Sequence, residues 1–76
     1  MNKEEKEKVN KIREDLETHR NELETLAGDL EGRIANIEET FPNGNPTIEK
    51  LQEQADAINN AVSSLEEAVS SLEEAQ

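Results

Sequence analysis

Residues 61–74 are the heptad Ala-Val-Ser-Ser-Leu-Glu-Glu written twice without a change, and that duplication restricts this part of the chain to an α-helix. Seven residues make about two helical turns, so Val62, Leu65, Val69 and Leu72 fall on one stripe. A second line runs beside it: Ala57, Ala61, Ser64, Ala68, Ser71 and Ala75 are separated by four, three, four, three and four residues. Small side chains at that spacing let another helix approach closely. A helix with two such lines can touch more than one neighbour.

The apolar stripe extends backwards through Ile48, Leu51, Ala55 and Ile58, which predicts a helix over 46–75. In the first half of the chain Val9, Leu16, Leu23, Leu30 and Ile37 recur every seven residues. Ile12 and Leu26 supply the alternate core position, with His19 and Arg33 in two of its other slots. These residues predict a helix over 3–41, with a charged, partly frayed start at 1–11. Near its end Leu26, Leu30, Ile34, Ile37 and Phe41 step by four, four, three and four, a period that slides the apolar face around the helix. Asn21, Thr25, Gly28, Gly32 and Ala35 form a fainter small-residue line. Each helical glycine costs about 1 kcal/mol relative to alanine, a cost that close helix contact would offset.

Between the two patterns stands Phe41-Pro42-Asn43-Gly44-Asn45-Pro46. Pro42 steers Phe41 away from helical geometry, and Asn43-Gly44 suits a reversal that needs positive φ. Asn45 then reads as an N-cap, with Pro46 at the first helical position. A turn at 42–45 this short makes the helices antiparallel. The expected fold is a single-domain, all-α, coiled-coil-like two-helix hairpin. Helix 2 should end opposite roughly Ile12, leaving the first ten residues as an overhang. One seam between two helices buries little surface, so the hairpin is expected to dimerise into a four-helix bundle. The wide seam would lie inside each hairpin and the small seam between chains.

Charge bounds the function. Residues 1–20 carry six basic and six acidic side chains, so the whole net charge of −11 lies in residues 21–76, where thirteen acids face only Arg33 and Lys50. Direct nucleic-acid binding is disfavoured, because phosphates require Lys and Arg clusters. A basic protein is the electrostatic complement. Interfacial helices carry basic faces and aromatic anchors, whereas Phe41 is the sole aromatic here, so no membrane association is expected. With no cysteine and no apolar core near the N-terminus, a cytoplasmic setting is the default expectation.

Catalytic chemistry finds little to work with. There is no Cys, Tyr or Trp, and His19 is the one imidazole. Asp15 and Glu22 share its side of the helix, but one His with two carboxylates on a single helix is a weak chelator. His19 is expected instead as a polar core-edge residue that fixes register. Paired carboxylates such as Glu38-Glu39 need a concave, water-poor site for acid–base work, and a two-helix rod offers none. We therefore expect no enzyme, metal or cofactor.

The remaining candidates are surfaces. Glu17, Glu24, Glu31 and Glu38 repeat every seven residues along helix 1, and Glu66, Glu67, Glu73 and Glu74 project from helix 2. The leading reading is a small acidic protein–protein interaction module, an adaptor, assembly factor or inhibitor, acting through the small seam and these faces. A second reading is a DNA mimic that occupies a basic nucleic-acid-binding protein, as small phage-encoded proteins often do. Duplex DNA carries one charge per roughly 1.7 Å. Eleven charges over about 45 Å of paired helix reach only one per roughly 4 Å, and a dimer about one per 2 Å, so mimicry leans on dimerisation. A third reading is a purely structural spacer.

Overall fold

The computed structural model describes residues 1–76 and contains two helices, α1 (Lys3–Thr40) and α2 (Pro46–Glu74), packed as an antiparallel hairpin. The result is a rod of 60 × 14 × 12 Å. Its length follows from the 38 residues of α1 at 1.5 Å each.

Local chemistry sets each helix end. Asn2 and Glu5 form a reciprocal capping box: the Glu5 N–H donates to Asn2 Oδ1 at 2.8 Å, and the Asn2 N–H donates to Glu5 Oε1 at 3.1 Å. Two otherwise orphaned donors are satisfied, and α1 is helical from Lys3 through the charged segment in which fraying was expected. At the other end Gly44 adopts φ +97° and donates its N–H to the Phe41 carbonyl at 3.0 Å. Only glycine takes that φ without strain. Asn45 caps α2, accepting from the Thr47 N–H at 2.9 Å, and Pro46 is the first helical residue.

In α2 the sequence periodicity and the packing coincide. Ala55, Val62 and Val69 are buried, and Ile48, Leu51, Ile58, Leu65 and Leu72 are half-buried. In α1 one row agrees, since Val9, Leu16, Leu23, Leu30 and Ile37 are all half-buried.

The alternate row of α1 does not agree. It is Arg13, Arg20, Ala27 and Ile34, one residue later than the spacing of apolar side chains suggested. Ala27 and Ile34 are buried, whereas Ile12 is 52% and Leu26 51% exposed. His19 and Arg33 are exposed too, so His19 is no core-edge register residue. The face does not slide near the turn either: Ile34 continues a regular heptad, and Phe41, the next position of that row, is the C-cap beyond the end of α1 and is exposed. The physical reason is length and shape. The aliphatic stem of an arginine can line a core while its head reaches out, and a buried alanine lets the helices approach closely.

Candidate functional site

Two long flanks run along the rod, one on each side of the contact between the helices, and their chemistry is unlike.

The first flank is closed by arginines. Arg20 Nη1 lies 3.3 Å from Glu66 Oε1 across the hairpin and 3.7 Å from Glu24 Oε1 four residues on in its own helix. Arg13 repeats the arrangement one heptad earlier, 3.0 Å from Glu17 and 3.9 Å from Glu73. Asn10 Oδ1 accepts from Arg13 Nη2 at 2.8 Å and from Gln76 Nε2 at 3.3 Å. The three cross-links, 10 to 76, 13 to 73 and 20 to 66, keep one antiparallel register, in which each advance along α1 is matched by an equal retreat along α2. They place Glu74, the end of α2, opposite Ile12, as the helix lengths predict, and bring Gln76 beyond it to Asn10. The Nε atoms of Arg13 and Arg20 are buried without a hydrogen-bond partner, which sets a desolvation cost against these half-exposed pairs. Such pairs contribute about 0–1 kcal/mol each.

The second flank has no such closure. Ile12, His19, Leu26 and Arg33 occupy its edge on α1, and Ala61, Ala68 and Ala75 its edge on α2. Ala61 and Ala68 are half-buried. Because these edge residues of α2 are alanines, they leave the adjacent Leu65 and Leu72 only half-covered. Ala57, Ser64 and Ser71 form the next row outward and are exposed. The Ser64 hydroxyl donates back to the Asn60 carbonyl at 3.1 Å, so it needs no outside partner. The small-residue line of α2 is thus the rim of a strip of leucine and isoleucine.

Other residues singled out in the sequence fall elsewhere. Gly28 and Gly32 are exposed on the outer back of α1, away from the alanine rim, and a Cβ on either would meet no atom within 4 Å. Glu17, Glu24, Glu66 and Glu73 are drawn into the arginine clamps, while Glu67 and Glu74 lie on the exposed outer face of α2. Glu31 and Glu38 continue the clamp row of α1 without an arginine partner and are exposed. His19 Nδ1 stands 3.0 Å from Glu22 Oε1, and Asp15 is engaged instead by Lys11 at 2.7 Å. That hydrogen bond, helped by the charge of Asp15, holds the Lys11 ammonium above its ordinary pKa. No group of three or more His, Cys, Asp or Glu side chains is gathered in metal-binding geometry. Sequence reasoning missed the clamps; their signal was the pattern Arg-x-x-x-Glu at both 13–17 and 20–24.

No helix is long and apolar enough to cross a membrane. Comparison with protein-family models, curated proteins and solved structures finds no match. The fold is an all-α helical hairpin.

Proposed function

We propose that this chain is a small acidic protein–protein interaction module, an adaptor, assembly factor or inhibitor that works by helix-face contact rather than catalysis. The observation that supports this reading is the inequality of the flanks. One is closed by Arg13 and Arg20 between carboxylates on both helices. The other leaves leucines half-covered behind an alanine rim, with Leu26 half-exposed beside them. Carboxylates on the outer faces keep such a rod soluble and repel contact elsewhere, which directs association to the open side.

The test is a photo-reactive side chain placed in cells at Ser64, on the open flank, or at Glu53, on the exposed outer face of α2. Adducts to protein are expected from position 64 and not from position 53. Equal yields from the two positions, or none from either, would sink the reading.

A further inference from the structure

The rod exposes 5558 Å² for a mass of 8.5 kDa. A compact monomer of that mass exposes about 4,650 Å². The excess of about 900 Å² is close to the roughly 800 Å² that each partner buries in a stable interface. The open flank is where two of the large exposed apolar side chains, Ile12 and Leu26, lie.

Charge decides which hairpin and in which direction. At net −11, a second copy can approach only where carboxylates are absent, and the two open-flank rows of α2 hold none between Ala57 and Ala75. The outer open-flank row of α1 does carry them, at Asp15, Glu22 and Asp29. A two-fold dimer must be self-complementary, and two arrangements satisfy that. With the turns at opposite ends, α1 lies on α1 and this acidic row faces itself. With the turns at the same end, α1 lies on the partner's α2 and the acidic row meets small, uncharged side chains. In both arrangements every adjacent pair of helices is antiparallel, so the helix dipoles favour neither and the acidic row decides. Leu26 comes level with the partner's Ala61, and Ile12 with the partner's Ala75, large side chains over small ones as interdigitating layers require.

We propose that a second copy of this chain covers the open flank with its turn beside the first, completing a four-helix bundle in which α1 of each copy packs on α2 of the other. This rests on the reading of that flank as an interaction surface.

The test is molar mass by light scattering over a concentration series, with the dissociation constant from sedimentation. Twice 8.5 kDa is expected. Leu26→Glu, and separately the double variant Ala61→Glu with Ala68→Glu, should weaken the dimer at least ~100-fold, because each buries a carboxylate without a partner. Asn60→Glu adds a carboxylate on the exposed outer face and should change little. Circular dichroism reports whether each variant stays helical. Since Leu26 is already half-exposed, Leu26→Glu keeps the test sound should the double variant unfold. The chain has no cysteine, so Asn43→Cys accepts one spin label per turn. Labels on the order of 20 Å apart, about two helix spacings, support the arrangement; labels near the 60 Å rod length overturn it. A monomer up to about 1 mM, too weak an affinity to matter, or a dimer indifferent to Leu26→Glu, also overturns it. A monomer whose position 64 still cross-links to a different protein removes the second copy and leaves the interaction surface standing.

Discussion

At the scale of single residues, the three glycines separate by what surrounds them. Gly44 is held at φ +97° with its N–H on the Phe41 carbonyl, so Gly44→Ala should destabilise the hairpin by about 1 kcal/mol through backbone strain. Gly28 and Gly32 sit in helical geometry with open space where a Cβ would go. Replacing either with alanine should therefore stabilise by about 0.5–1 kcal/mol, removing backbone entropy from the unfolded chain. Thermal melts read both signs, since 1 kcal/mol moves the midpoint of so small a domain by roughly 4–8 °C. If Gly28→Ala instead lowered the midpoint, the back of α1 would be a contact surface after all. Arg20 poses a different trade. Its Nε is buried and unpartnered, and its ion pairs are partly solvated. Arg20→Leu should raise the midpoint, because an apolar side chain there joins Ala27 and Ile34 in the buried row. A fall would show that the clamp contributes more than the core it interrupts.

At the scale of the elements, both helices, the turn and the cap of α2 are legible in the amino-acid sequence, because each rests on local chemistry: heptad spacing, Pro42, Asn43-Gly44, Asn45-Pro46. The alternate row of α1 is not. Within α1, two phases one residue apart each hold two apolar side chains, Ile12 with Leu26 and Ala27 with Ile34. Hydrophobicity favours the first; the geometry of packing selects the second, since small Ala27 and long Arg13 and Arg20 fit a close helix pair better than Leu26 and His19. The same one-residue displacement hides the candidate surface. With Leu26 assigned to the core, the alanine rim of α2 looks like an isolated line of small residues, and the half-covered leucines behind it cannot be seen. The displacement also separates Gly28 and Gly32 from that rim, which spacing alone makes look alike. The capping box at Asn2 and Glu5 lies within the charged start, where no apolar stripe begins to mark a helix.

At the scale of the whole molecule, the net charge of −11 gives self-association a recognisable salt response. Two like-charged rods repel, so raising ionic strength from about 10 mM to 150 mM, which shortens the screening length from roughly 30 to 8 Å, should tighten the dimer. Binding of a basic partner would weaken over the same range. Sedimentation at the two salt concentrations checks the sign, and a dimer that loosens with salt would mean that attraction between opposite charges, not burial, holds it. The duplicated heptad carries one more consequence. Slide α2 along α1 by a heptad, about 10 Å, and leucine still meets leucine, while Arg20 finds Glu73 in place of Glu66. Sideways, the two helices are a ratchet with equal teeth, and the only pawl is the turn from Phe41 to Asn45. A chain opened at that turn, free to pair with others along its length, would settle into a ladder of overlaps at heptad intervals and grow by steps instead of closing.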